Sequence, residues 1–257
     1  MAISIKTEKE IAVLREGGRR LAEILQKVSA AARPGVANKE LNELALKLVA
    51  EYGDTPSFLN YSPKGAKRPF PAALCVSVND EVVHGIPNEE EKILKEGDIV
   101  SLDLGLNHKG LFTDGAITVG IGKIDVSAKK LIEVTRKALA VGIKTARAGA
   151  TVGDIGFAIE KFVRPKGFGI VRELAGHGVG YAVHEEPFVP NFGRKGEGVE
   201  LKEGMVLAIE PMLNEGNAGI KLDPDGYTYR TRDGSRSAHF EHTIVVTEKG
   251  AEILTGL

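Results

Sequence analysis

A pattern that recurs in order along the chain restricts what it can fold into. Ala32-Arg33-Pro34-Gly35 reappears as Ala146-Arg147-Ala148-Gly149, 114 residues on, and the same offset lays Leu41 on Ile155, Lys47 on Lys161, Leu48 on Phe162, Val49 on Val163 and Gly53 on Gly167. Val83-His84-Gly85-Ile86-Pro87 returns as Val183-His184-Glu185-Glu186-Pro187 at an offset of 100, and Leu94-Lys95-Glu96-Gly97 returns as Leu201-Lys202-Glu203-Gly204 at 107. Preserved order with drifting offset is what two related halves with loops of different length produce; two copies make a pseudo-symmetric pair, not a solenoid. With 257 residues there is room for one large core or two small ones. The expectation is one domain over residues 1–257, built from two α+β halves, about 1–125 and 126–257, around a shared cleft.

Local signals fill in those halves. Thr7 and Glu10 have capping-box spacing, and Ile11, Leu14, Leu21, Ile24, Leu25 and Val28 recur at helical intervals until Arg33-Pro34-Gly35. Leu41, Leu44, Ala45, Leu48 and Val49 mark a second helix ending at Gly53. Five prolines and glycines between 54 and 71 read as a long loop, the kind that more often carries function than merely connects. Strand-like runs follow at 73–78, 99–106 and 117–121, then a helix over about 127–145.

Composition excludes several classes. Lys plus Arg number 34 against 35 Asp plus Glu, a net charge of −1, so a general nucleic-acid or membrane-surface binder is not expected. No apolar run reaches the roughly 18 residues of a membrane span, and charge arrives by Lys6, before a signal-peptide core could form. Cys75 is the single cysteine, so an internal disulfide and a thiolate zinc cluster are both ruled out. These features suit a cytoplasmic protein, and any metal must be held by Asp, Glu and His.

Four acids sit where acids are awkward. Asp103 lies inside Ile99-Val100-Ser101-Leu102-Asp103-Leu104, and Asp114 lies across a hairpin turned by Asn107-His108-Lys109-Gly110. Glu210 ends Met205-Val206-Leu207-Ala208-Ile209-Glu210, and Glu241 adjoins Thr243-Ile244-Val245-Val246. One such acid alone reads as a strand end in water; four, with few basic residues in the strands, need a compensating charge. Their charge of −4 matches two divalent cations, the balance of a dinuclear site with bridging carboxylates. His177, in Gly176-His177-Gly178-Val179-Gly180, adds a nitrogen donor. Oxygen donors with one imidazole suit Mn(II), Fe(II), Co(II) or Zn(II). His84 and His184, paired by the repeat, suit proton transfer and polarisation of a substrate carbonyl.

Weaker patterns fall away. His184-Glu185-Glu186-Pro187 lacks the second histidine of a zincin helix, because residue 188 is Phe; Gly176–Gly180 has neither the spacing nor the setting of a dinucleotide loop. Lys64, Lys67 and Arg68 form a basic loop cluster that reads first as a solvated face.

The set Cys75-Val76-Ser77-Val78-Asn79, His84-Gly85-Ile86-Pro87, Asp103 with Asp114, Gly176–Gly180 with His184-Glu185-Glu186-Pro187, Ile209-Glu210-Pro211-Met212 and Glu241-His242-Thr243 resembles the type I methionine aminopeptidases over nearly the whole chain. The resemblance implies the pita-bread fold, with two pseudo-symmetric halves around a central dinuclear metal cleft. It also implies a metalloprotease that removes the initiator methionine from nascent polypeptides when the second residue is small. By the same resemblance Asp103 chelates one metal, Asp114 and Glu241 bridge both, and His177 and Glu210 complete the other. His84 would assist at the scissile amide, His184 would hydrogen-bond the carbonyl oxygen, and Tyr61, Phe70, Cys75 and Tyr227 would wall the methionine pocket. The chain departs from some members at Tyr227 (Trp), Val183 (Phe), His239 (Gln) and in an extended 63–68 loop. The alternatives are an Xaa-Pro aminopeptidase or prolidase, whose additional N-terminal domain does not fit in this length, and a non-catalytic binding module on the same fold. A monomer is expected, with transient ribosome contact through the basic loop.

Overall fold

The computed structural model describes residues 3–63 and 65–256. Among the described residues there are four α-helices, α1 (Glu8–Ala31), α2 (Asn38–Glu51), α3 (Val126–Thr145) and α4 (Val152–Val163), the last followed by a 3-10 turn, Arg164–Lys166. The strands of the first half are β1 (Thr55–Pro56), β2 (Leu74–Val78), β3 (Glu81–Val83), β4 (Ile99–His108) and β5 (Leu111–Gly120). Those of the second half are β6 (Gly169–Ile170), β7 (Gly176–Gly178), β8 (Glu185–Val189), β9 (Val206–Ile209), β10 (Met212–Asn214), β11 (Ile220–Leu222), β12 (Tyr229–Thr231), β13 (Ser237–His239), β14 (Glu241–Val246) and β15 (Ala251–Ile253).

The termini of α1 follow the sequence. The Thr7 backbone N–H donates to Glu10 at 2.8 Å while the Glu10 N–H donates to the Thr7 hydroxyl, closing the capping box. The expected strand over 117–121 is longer and begins at Leu111. Asp114 and Gly115 interrupt the apolar run for different reasons. Asp114 faces the site, and a β-carbon on Gly115 would meet the Leu21 side chain at 3.0 Å. The hairpin closes through Lys109 and Gly110, both at positive φ, the signature of a tight two-residue turn. The 54–71 segment is mostly loop, but β1 pairs with β4 within it.

The repeat has structural counterparts. Helices α2 and α4 begin at Asn38 and Val152, separated by 152 − 38 = 114 residues. Each is preceded by an isolated antiparallel bridge, Ala37 to Ile93 and Thr151 to Glu200, whose second members differ by 200 − 93 = 107. Gly35 and Gly149, and Gly97 and Gly204, hold matching positive φ values, a conformation that side chains with a β-carbon resist.

One mixed-origin sheet joins the halves in the order β1-β4-β5-β14-β9-β7-β8, with β2 beside β4 and β15 beside β14. Helices α1 and α2 pack Leu21, Ile24, Leu25, Val28, Leu41 and Leu48 against Leu74, Val100, Leu102, Leu104 and Leu106. Helices α3 and α4 pack Leu131, Ala138, Ile155 and Ile159 against Leu207, Ile209, Ile244 and Val246. Full burial of each large aliphatic chain is worth about 1.5–3 kcal/mol, so these two cores carry the fold. Both lie on the same side of the sheet. Two three-stranded sheets, β13-β10-β6 and β11-β12-β3, complete the fold, and the first sends Ile170, Leu213 and Ala238 into the core of α3 and α4. Among the described residues no helix is long and apolar enough to cross a membrane.

Candidate metal centre

Strand register determines where the acids point. Asp103 pairs with Ala116 across β4 and β5, and Ala116 pairs with Glu241 on β14. Paired residues share a face, as do residues two apart, so Asp103, Asp114, Ala116 and Glu241 point the same way. On the far side of β14, Thr243 pairs with Ala208, and Ala208 with His177. Glu210, two residues past Ala208, completes the row. Strands β4, β5, β14 and β7 thus bring one donor each to the face opposite the helices, and Glu210 joins them directly after β9. Ala116, 1% exposed, stands between Asp103 and Glu241, where a larger side chain would occupy the space between the two acids.

Asp103, Asp114, His177 and Glu241 are buried. Ligand atoms of Asp114, His177 and Glu241 lie within 4.8 Å of one another, and His177 Nε2 is 3.5 Å from Glu210 Oε1. Desolvation pushes the carboxyls of Asp103 and Glu241 well above the ordinary range, and mutual repulsion among the acids adds to it. Burial raises Asp114 and Glu210 to about 8. His177 donates Nδ1–H to the Gly178 carbonyl at 2.9 Å, which leaves Nε2 as a bare lone pair facing Glu210. Asp103 Oδ1 and Glu241 Oε1 are buried without a hydrogen-bond partner. Once a cation displaces their protons, the converging carboxylate oxygens and the imidazole lone pair form a donor set for a divalent ion. The residues fit the metals anticipated from the sequence.

The two repeat-related histidines border the same cavity, of about 670 Å³. His84 sits at φ 59°, a strained value for a residue with a β-carbon, directly after β3. Burial, then the neighbouring His184 and His239, lowers its pKa to about 4, so it is neutral at physiological pH. His184 stands at the mouth with its ring 4.4 Å from that of His177, and its Nδ1 hydrogen-bonds the Tyr61 hydroxyl at 2.8 Å. Partial desolvation draws its pKa down too.

Tyr61, Phe70, Cys75 and Tyr227 gather in one apolar cluster with Phe58, Ile86 and Val183. Phe70 and Tyr227 meet edge to face at 5.2 Å, and the Tyr227 hydroxyl donates to the Arg68 carbonyl. Burial raises the Cys75 thiol well above its ordinary pKa, so it is an inert wall and no nucleophile.

Sequence reasoning missed part of the surroundings. Phe58 and Tyr229 line the cavity without any periodic signal. Lys6 reaches from before α1 to Glu185, 2.7 Å away and buried, at the start of β8 beside His184; a sequence separation of 179 hides that pair. In the basic loop Lys64 is outside the described residues, and Arg68 is paired with Glu89 and bound to the Asp225 carbonyl.

Comparison with known proteins follows the same line. The model of metallopeptidase family M24 matches residues 12–248. The chain belongs to metallopeptidase family M24. It is 46% identical to a methionine aminopeptidase of Aquifex aeolicus, over 100% of both chains. It superposes on the crystal structure of methionine aminopeptidase from Thermotoga maritima with a TM-score of 0.95, at 43% identity and 100% coverage of both chains. A prolidase from Pyrococcus horikoshii shares the fold alone, at TM-score 0.76 and 22% identity, with 98% of this chain covering 63% of that one. The M24 chain has the pita-bread fold these proteins share.

Proposed function

We propose that this M24 chain removes N-terminal methionine from nascent polypeptides whose second residue is small, acting as a metalloexopeptidase with two divalent ions. The observation that carries the reading is the row of five donors, Asp103, Asp114, Glu241, Glu210 and His177, on one sheet face beside an apolar cavity. Relatives with nearly full-length coverage bear the name methionine aminopeptidase, which supports the same reading.

In this proposal Asp103 would hold one ion and His177 with Glu210 the other, while Asp114 and Glu241 would be shared between them. Such ions supply positive charge to polarise a carbonyl and to acidify water near neutral pH. The chain's own residues do the rest. Phe70, Cys75, Tyr227 and Tyr61 receive the thioether side chain, whose soft, flexible form suits an apolar slot. Neutral His84 would contact the scissile amide and assist proton transfer there, where the leaving nitrogen must gain a proton. His184, steadied by Tyr61, offers a ring N–H to the carbonyl oxygen as it gains charge. The active unit is a single domain, monomeric and cytoplasmic, with ribosome contact through the 63–68 loop; co-sedimentation that survives removal of Lys67 and Arg68 charge would dispose of that last element.

The test is steady-state hydrolysis of Met-Ala-Ser against Ala-Pro peptides with Mn(II), Co(II), Fe(II) or Zn(II) after chelation. Metal-dependent release of Met is expected. Preference for the proline peptide, or metal binding without turnover, would overturn the reading.

A further inference from the structure

Glu210 is flanked by two imidazoles at equal distance, and only one was foreseen as a metal ligand. His177 Nε2 lies 3.5 Å from Oε1, and His239 Nε2 lies 3.5 Å from Oε2. His239 ends β13, paired with Met212, two residues beyond Glu210. Its side chain is 2% exposed, and neither ring nitrogen has a hydrogen-bond partner among the described residues. The backbone beneath it is fixed: its N–H donates to the Thr118 hydroxyl at 2.9 Å, and that hydroxyl donates to its carbonyl at 2.7 Å. A buried imidazole with no partner, locked in place and aimed at a carboxylate, calls for an explanation.

The two rings face Glu210 with opposite chemistry. At His177 the Nδ1 proton is spent on Gly178, so once Glu210 is ionised Nε2 and Oε1 oppose each other as two lone pairs, which a cation between them relieves. At His239 no group fixes the tautomer. An ionised carboxylate only accepts hydrogen bonds, so the stable arrangement puts the proton on Nε2, aimed at Oε2. Closing from 3.5 Å to an ordinary hydrogen-bond length takes about half an ångström.

We propose that His239 is a positioning residue of the metal centre: its Nε2–H holds Glu210 Oε2, so that Oε1 alone is presented to the metal shared with His177. This rests on the metal-centre reading above. A glutamine amide can donate to the same oxygen, and a leucine of similar bulk cannot.

The experiment measures Zn(II) affinity by competition with a chromophoric chelator for the full chain, for His239→Gln and for His239→Leu, with circular dichroism melting of each metal-free protein as the folding control. The expected result is that the glutamine variant stays within about threefold of the original and the leucine variant weakens about 10–100-fold, the usual cost of losing an outer-sphere partner. Leucine binding as tightly as the original overturns the proposal, and so does glutamine falling as far as leucine, which would make the imidazole itself a ligand. Nitrogen-15 NMR of the unaltered Zn(II)-loaded chain decides the matter without a variant: an Nε2–H tautomer at His239 is expected, and an Nδ1–H tautomer or a metal-bound Nε2 refutes it. An original chain that takes up no Zn(II) brings down the metal-centre reading itself, a failure distinct from a metal-binding chain indifferent to residue 239.

Discussion

Removing the metal should make stability fall as pH rises above neutrality, the reverse of what salt-bridged surface carboxylates do. Asp114 and Glu210 are held at about 8 in the folded chain by burial, with Asp103 and Glu241 also raised. In the unfolded chain all four titrate near 4. Groups raised on folding hold protons that the unfolded chain has released, so their stabilisation is complete below about pH 4 and is lost as pH climbs to the folded value. Buried histidines work in the opposite sense. His84 is lowered to about 4, and His177 and His239 to about 3, all chiefly by desolvation, so their contribution is lost as pH falls below about 6.5. The two sets offset each other between about pH 4 and 6.5, and above that only the acids act. Counting Asp114 and Glu210 alone, each bound proton costs about 1.4 kcal/mol per pH unit, less as the groups half-titrate near pH 8, or about 3 kcal/mol between pH 6.5 and 8. For a chain of this size that lowers Tm by about 6–12 °C. The chain has no Trp, so the melt is followed by far-ultraviolet circular dichroism in chelator. Adding Mn(II) or Co(II) should raise Tm more at pH 8 than at pH 6.5. A metal-free Tm that is flat or rising across that interval would refute the claim that these acids are buried as neutral groups awaiting a cation.

The same logic separates stability from activity in variants. Asp114→Asn should abolish metal-dependent hydrolysis yet melt higher than the original chain in chelator at pH 8; a lower Tm there would contradict the repulsion argument. Glu210→Ala should likewise eliminate turnover, and near-normal rates in both variants would rule out the dinuclear assignment. For His184→Ala, kcat should drop by about 10²–10⁴, the range for a lost proton-transfer or carbonyl-stabilising group, with a smaller change in KM; a rise in KM alone would reduce His184 to a binding role. Lys6→Met leaves Glu185 buried without its cation, at a cost of about 3–5 kcal/mol by thermal melting. Glu185→Gln in that background should recover part of the loss.

The acids were legible in the sequence because burial and charge conflict locally. In Leu102-Asp103-Leu104 the alternation states outright that one face is apolar and the other holds a carboxylate. The repeat was legible because its glycines occupy turns that demand positive φ and its helices begin at the same step of each half. What stayed hidden depends on pairing across the sheet. No local signal puts Ala116 between Asp103 and Glu241, and β5 looked short because Asp114 and Gly115 broke its apolar run. Lys6 meeting Glu185, and His239 meeting Glu210, are consequences of topology. The residues proposed for the methionine pocket came only through resemblance, since Tyr61 and Phe70 lie in a segment without periodicity.

The sheet therefore divides its labour by face, and the two faces pull stability in opposite directions. Val100, Leu102, Leu104 and Leu106 of β4 build the core under α1 and α2, while Asp103 on the same strand is forced into an acid cluster that raises the free energy of the metal-free chain. An isolated acid in one half could be neutralised by protonation or turned to solvent at small cost. Four acids brought together where β5 of one half meets β14 of the other cannot turn away, because register fixes their face and the helices fill the opposite one. Joining the halves thus creates the repulsion, which protonation relieves at lower pH and a multivalent counterion in the shared cleft relieves once the acids ionise. Assembly of the sheet and binding of metal should accordingly reinforce each other, with the seam between β5 and β14 as the place where that coupling acts.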